Sequence, residues 1–330
     1  MIPQEKIAAV TRGLREAFGV TAFDDIRMLD RGLTSALVFR IVVRGCHYLL
    51  RIITRTDAMN DPTRQFTCMR AAAEAGVAPR VWYTCIEDRI SLTDFVEAAP
   101  FPATEALVLM PGVLRLLHAL PPFPKTVNYL DFVDGFIRRF QAANLLPQDE
   151  TEEVFLRYGH LAAVYPRHDS DVVSSHNDLK PENILFDGRR VWIVDWEAAF
   201  LNDRYLDLGV VANFVVTNDA DERSYLREYL EHAPDEYQLA RFFLMRQVLH
   251  MAYSMVFLLL GSSGERLTLS EKAPEFHDFH RRMWAGEINL ADNDSKLAYG
   301  RVHWEQLVKN MRQPRFNEAL RIVSARHERP

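Results

Sequence analysis

The chain has 330 residues, 48% of them hydrophobic and 25% charged, with a formal net charge of -6. That length suits two lobes better than one small core, the composition excludes extended disorder, and the negative balance gives no general attraction for nucleic acid or an anionic membrane. Cys46, Cys68 and Cys85 form no CxxC pair and read as reduced, buried small apolar residues.

The chain opens with QEKIAAVTRGLREAFG, where Ile7, Val10, Leu14 and Phe18 recur at helical spacing and Gly19 suits a C-cap, so this is an amphipathic helix and not a signal-peptide core. ALVFRIVV (36–43) and CHYLLRII (46–53) flank Arg44-Gly45 and predict a hairpin. In DPTRQFTCMRAAAEAG (61–76) Asp61 is the N-cap, Pro62 the first helical residue and Gly76 the stop. VWYTCI and ISLTDFV add two strands. EAAPFPA (97–103) then marks a connector, and the chain turns helical over ATEALVLMPGVLRLLHAL, near 127–143 and 149–164, from about 221 to 260 and from 300 to 326. YSMVFLLL (253–260) is too short for a bilayer, which needs about 20 residues, and is expected to be a buried core helix of a cytoplasmic protein.

One stretch interrupts the helices: SSHNDLKPENILFDGRRVWIVDWE. Asp178 and Asn183 stand five apart with Pro181 between them, which excludes a regular helix and predicts a loop presenting side chains. NILF and VWIVD, joined through Asp187-Gly188, make a tight hairpin that brings the start of one strand beside the end of the other. Asn183 and Asp195 therefore converge, with Asp178 just outside. One neutral and one anionic oxygen donor suit Mg²⁺, whose remaining ligands come from water and a polyphosphate. A free carboxylate nearby suits a hydroxyl-bearing acceptor.

The spacing His176-x-Asp178-x4-Asn183, followed by Asp195, resembles the catalytic core of the kinase superfamily. More closely, HNDLKPENIL with IVDWEAA, and Asp207 in RYLDLG, resembles the aminoglycoside phosphotransferase and choline/ethanolamine kinase-like family. The resemblance implies an α+β, bilobal, protein kinase-like fold: a small antiparallel-sheet nucleotide-binding lobe over 1–97 and a mainly helical lobe over 98–330 carrying the catalytic loop and acceptor site. It implies ATP and Mg²⁺, with Asp178 as catalytic base and Asn183 and Asp195 holding the metal. His176 would brace the loop and Asp207 tie it down. Lys180 either touches the transferred phosphoryl group or is a solvated loop lysine.

The nucleotide cation follows from a count. No lysine occurs between Lys6 and Lys125, so a first-lobe cation for phosphate must be arginine. YLLR places Arg51 where kinases carry their strand lysine, and a guanidinium can fork onto two phosphate oxygens; a simple exposed strand arginine is the alternative. The helix that follows offers Gln65 where kinases offer a glutamate, and Gly32 is the one glycine of the first loop, DRGLTSALVF. Adenine is expected on the connector at Val96, Glu97 and Ala98, just after Phe95.

A protein kinase fits less well: Asp195 and Asp207 are twelve positions apart, DWE replaces DFG, and no APE follows. A catalytically dead binding module would be expected to lose Asp178, Asn183 or Asp195. The acceptor is a small molecule with a hydroxyl group, with no nucleic acid or membrane partner, and the oligomeric state stays open. Trp284, Trp304, Tyr253 and Phe214 are candidates for stacking on a cationic head group or are plain core, while Glu197 and the acidic stretch DFHRRMWAGEINLADND could meet an amine or be solvated. HND, where aminoglycoside enzymes more often carry HGD, points to choline or ethanolamine. NFVVTND lacks the glutamate expected of choline kinases, which keeps aminoglycosides and other small alcohols as the alternative.

Overall fold

The computed structural model describes residues 2–29, 36–56, 61–124, 128–167, 172–264, 266–267 and 272–327. Gly32, the expected marker of the first loop, lies outside them. Helix α1 (Ile7–Phe18) ends at Gly19 in the left-handed region, φ 69°. It lies over an antiparallel sheet of β1 (Asp25–Met28), β2 (Ala36–Val43), β3 (Cys46–Ile53), β4 (Val81–Cys85) and β5 (Ile90–Asp94), in the order β1-β2-β3-β5-β4. The β2–β3 turn holds both Arg44 (φ 51°) and Gly45 (φ 74°) left-handed, the geometry that lets a two-residue loop follow the strand twist. Phe39, Ile41, Val43, Leu50 and Ile52 alternate inward and pack with Leu14 and Leu92. By the same alternation Arg51 faces the other side of the sheet.

Helix α2 (Pro62–Glu74) starts as expected, with Asp61 accepting a hydrogen bond from Thr63 N. Phe66 packs with Ala36 and Ile53 of the sheet, but the rest of the helix's apolar face turns away. Cys68 and Ala72, with Val77 and Ala78, belong to the large second core, which runs through the helices beyond the connector.

Those helices are α3 (Ala103–His118), α4 (Tyr129–Ala143), α5 (Gln148–Val164), α6 (Arg204–Val215), α7 (Asp219–Leu230), α8 (Glu236–Gly261), α9 (Phe276–Trp284), α10 (Asn293–Met311) and α11 (Pro314–His327). The two long stretches expected to be helical are each divided in two: 221–260 near Pro234, and 300–326 where Pro314 opens α11. YSMVFLLL is the end of α8, 26 residues long, which by length and composition could cross a membrane, yet 67% of its apolar window is buried against other parts of the fold.

Two short sheets sit among these helices: β6 (Val172–Ser175) with β9 (Phe200–Asp203), and β7 (Ile184–Phe186) with β8 (Val191–Ile193). Cys46 departs from expectation, because it follows directly on the hairpin turn and is exposed; Cys68 is buried and Cys85 intermediate.

Candidate active site

Pairing of β6 with β9 brings the loop after one strand beside the turn before the other. Asp207, fully buried one turn into α6, locks them: its carboxylate accepts from His176 N and Asn177 N, both at 2.8 Å, and meets His118 Nε2 at 3.2 Å. Asp203 caps the same helix by accepting from Tyr205 N at 2.8 Å, and is itself held by Tyr165 Oη at 2.8 Å and by buried Arg241. Charge-assisted bonds to a buried carboxylate are among the stronger ones available to hold a loop.

His176 is fully buried. Its Nε2 lies 3.0 Å from Val194 O, its Nδ1 accepts from Asp178 N at 3.4 Å, and its ring stands edge-on to Trp196 at 4.9 Å. That pattern fits the Nε2–H tautomer and a bracing position. Asn177 takes φ 65°, and its Nδ2 donates to Ala198 O at 3.0 Å and Ser175 O at 3.2 Å, while Asn202 donates to its Oδ1 at 2.9 Å. Glycine would adopt the backbone more easily but could make none of these side-chain bonds. The sequence marked Asn177 only as part of HND; a polar side chain at a position needing left-handed backbone was the available signal.

Asp178 faces the cleft with its side chain 33% exposed, and its carboxylate accepts from Lys180 Nζ at 2.9 Å and Asn183 Nδ2 at 3.1 Å. Asn183 also donates to Asp178 O at 2.7 Å, so its Nδ2 is spent within the loop, and Oδ1 accepts no hydrogen bond among the described residues. Asp195 sits at φ 67°, which turns the chain sharply after β8. Its Oδ1 accepts from Arg51 Nη1 at 2.7 Å. Burial pushes the Asp195 carboxyl up, but Arg51 and then Lys180 outweigh it and the net direction is down. Burial likewise opposes the Lys180 ammonium, and Asp178, with Asp195 and Glu182, raises its pKa overall.

Arg51 reaches across from β3 to the second lobe. Its other amino group donates to Glu197 Oε2 at 3.3 Å, and its buried Nε has no partner among the described residues. The expected partner Gln65 is buried on α2 and makes no described bond to Arg51: two carboxylates on the facing turn out-compete a neutral amide. Arg64, one residue earlier, donates to Glu197 O at 2.6 Å. Val96, Glu97 and Ala98 make no backbone hydrogen bond among the described residues, whereas the next amide, Ala99 N, donates to Phe186 O at 2.7 Å. The exposed Glu97 carboxylate lies 3.1 Å from His47 Nδ1.

The sequence matches the model of a family described as a phosphotransferase enzyme family (APH) over residues 25–243, two thirds of the chain. The chain belongs to that family. It is therefore an ATP-dependent phosphotransferase with an alcohol as acceptor. No curated protein matches it. Among solved structures it is similar to a choline/ethanolamine kinase family protein from Mesorhizobium loti, with TM-score 0.70 and 19% identity over 97% of this chain and 99% of that one. It is similar to the choline kinase LicA of Streptococcus pneumoniae at TM-score 0.56 and 14% identity, covering 93% and 99% of the two chains. A third likeness is the complex of APH(2")-IIa with streptomycin and ATP, TM-score 0.56 and 16% identity, over 78% and 91%. At these identities the likeness establishes the fold, which is the bilobal kinase-like one.

In this phosphotransferase the far side of Asp178 is aromatic. Burial raises the hydroxyl pKa of Tyr129, Tyr253 and Tyr299; the charge of Asp178 adds to it for Tyr129, after Tyr299 and Tyr129 for Tyr253, and after Glu182 for Tyr299, so tyrosines from α4, α8 and α10 lie within electrostatic reach of that carboxylate, the rings of Tyr253 and Tyr299 5.9 Å apart. Tyr253 was anticipated; Tyr129 and Tyr299 were not, since nothing local distinguishes them from core tyrosines. Behind them lie His250, His280 and His303, all fully buried, each with an Nε2 that finds no partner among the described residues. Trp284 is elsewhere: its indole N–H donates to Phe101 O at 2.5 Å on the connector, and its ring packs on Phe101 and Phe214. Phe214 and Trp304 are core residues. Glu197 faces Arg51 and is neutralised there, which removes it from the acceptor side.

Proposed function

We propose that the phosphotransferase transfers the ATP γ-phosphoryl group to the hydroxyl of a small, amine-bearing acceptor, with choline or ethanolamine as the first compounds to test. The observation that carries this reading is the position of Asp178, between a polar cluster (Lys180, Asn183, Asp195, Arg51) and a wall of three tyrosines. The acceptor oxygen forms a bond to the γ-phosphorus, the bond from that phosphorus to the β-phosphate oxygen breaks, and ADP leaves. The hydroxyl proton goes to the Asp178 carboxylate.

Asn183 Oδ1 and the Asp195 carboxylate are the donors for Mg²⁺: a neutral oxygen that accepts nothing else and an anion held ionised by Arg51. When bound, the ion neutralises charge on the phosphate oxygens. Arg51 is the first-lobe cation, its unpartnered Nε and forked amino groups suiting an anion with several oxygens. Lys180 balances the Asp178 charge within reach of the transferred group. The open backbone of Val96, Glu97 and Ala98 would meet the adenine edge. Residues 1–97 then serve as the nucleotide lobe and 98–330 as the acceptor lobe, with α2 sharing the second lobe's core. The amine is favoured by three electron-rich rings on the side of the Asp178 carboxylate.

Steady-state kinetics on a panel of choline, ethanolamine, aminoglycosides and sugars tests the reading. Saturable phosphorylation of an amino alcohol is expected. Turnover confined to aminoglycosides or sugars would overturn the amine and keep the kinase chemistry.

A further inference from the structure

The tyrosine wall does not stop at the pocket. On α4, Tyr129 is followed at one-turn and two-turn spacing by Phe132 and Phe136, with ring centroids 5.8 Å and 4.7 Å apart. On α8, against which α4 packs, Tyr253 is followed by Phe257 at 6.2 Å and then by Leu260, at positions i, i+4 and i+7. Both stripes reach solvent: Tyr129, Phe136, Tyr253 and Phe257 are half-buried, while Phe132 is 41% exposed and Leu260 55%. Two apolar stripes on neighbouring helices therefore begin at the residues beside the reacting carboxylate and run outward to solvent.

A compact amino alcohol would fill only the tyrosine end. Exposed large apolar side chains are unremarkable when scattered, but a row continuous with a binding pocket marks a place where ligand covers it. Of the charged groups on α4, Asp131 and Asp134 pair with Arg167, and Arg139 lies over the Phe136 ring at 5.4 Å. We propose that the acceptor carries an alkyl or aryl extension which lies along the Tyr129–Phe132–Phe136 and Tyr253–Phe257–Leu260 stripes while its hydroxyl stands at Asp178. This rests on the amino-alcohol reading above and narrows it to acceptors with an apolar tail.

The test is a homologous series of N-alkyl-N,N-dimethylethanolammonium ions, from methyl to octyl, phosphorylated by the full chain with ATP and Mg²⁺. kcat/KM should rise with chain length by about twofold per methylene, about half the factor expected for complete burial. Phe132→Ala should flatten that rise, whereas Leu116→Ala, also exposed but on α3, should leave it in place. A flat or falling profile in the wild type, or an undiminished rise in Phe132→Ala, overturns the proposal. A second arm needs no turnover: titration calorimetry of octyltrimethylammonium against tetramethylammonium in the presence of MgADP. Tighter octyl binding that Phe132→Ala abolishes supports the tail site even if no amino alcohol is phosphorylated, in which case it is the amine acceptor that fails. Equal binding of the two ions refutes the tail site. A wild-type dimer that Phe132→Ala dissociates, seen by sedimentation equilibrium, would assign the stripes to a second copy and also overturn it.

Discussion

The two halves of the cleft are built on different principles. The nucleotide half is polar and short in sequence: apart from Arg51, Arg64 and the connector residues Val96, Glu97 and Ala98 it comes from residues 176–207, tied by charge-assisted bonds at 2.6–3.3 Å. The proposed acceptor half is aromatic and long-range, assembled from Tyr129, Tyr253 and Tyr299 on three helices, and it rests on three histidines whose buried Nε2 atoms have no partner among the described residues. Bond geometry specifies the first half, so the chemistry can be held by a few residues. Shape specifies the second, so a change of helix packing can alter which acceptor fits while the reaction stays the same.

Replacing Asp178 with Ala should have the largest effect. It removes the proton acceptor and leaves Asn183 and Asp195 in place, so kcat should fall by about 10²–10⁴ while ATP, measured by equilibrium binding, still binds. A variant of Tyr129 that cost as much turnover would erase the distinction between the halves.

Arg51→Ala comes next. Loss of a charge-assisted fork worth about 1.5–3 kcal/mol should raise the apparent ATP requirement by roughly tenfold to a hundredfold, and Arg51→Lys should recover part by restoring charge without the fork. Kinetics at varied ATP decide it; an unchanged ATP requirement in Arg51→Ala would place the phosphate clamp outside the polar half as drawn here.

The smallest effect per group belongs to the acceptor half and is one of stability. Burial holds the imidazoles of His250 and His303 well below their ordinary range and lowers His280 to about 3. Unfolded, each takes up a proton near its ordinary value of about 6.5. Because the folded value is the lower one, the stability is present above about 6.5 and is lost as pH falls below it, toward about 3 for His280. Each such histidine contributes a slope of at most about 1.4 kcal/mol per pH unit. Denaturant midpoints at pH 7.5, 6.5 and 5.5 should fall in that order, and His303→Phe should make the decline shallower. An unchanged midpoint across the three would show that these imidazoles take up protons as readily in the fold as in the unfolded chain.

Much of this was legible before any folding. Arg44-Gly45, the Asp61 cap with Pro62, and Gly19 predict turns and helix ends correctly because each acts through its own backbone or a neighbour two or three residues away. The hairpin of NILF and VWIVD does the same for Asn183 and Asp195. Reading stopped where an answer depended on what lies opposite. Arg51 was identified as the first-lobe cation, but its partners are Asp195 and Glu197, 144 and 146 positions away, and not Gln65. Trp284 looked like a stacking platform until packing against Phe101 spent its N–H on the connector. The expectation of three buried cysteines failed at Cys46, where a turn and not hydrophobicity set the exposure.

Local order along the chain was thus enough to point to the reaction: a loop that a proline keeps from being helical, a two-strand hairpin and an aspartate at its end place the proposed base Asp178 and the proposed metal donors Asn183 and Asp195 within one short segment. The acceptor surface belongs to tertiary structure alone. Tyr129, Tyr253 and Tyr299 are separated by more than a hundred residues or by a whole helix, and each is indistinguishable in sequence from a core aromatic. They became a wall facing Asp178 only when α4, α8 and α10 packed together, because burial is a property of what covers a side chain and not of the side chain itself.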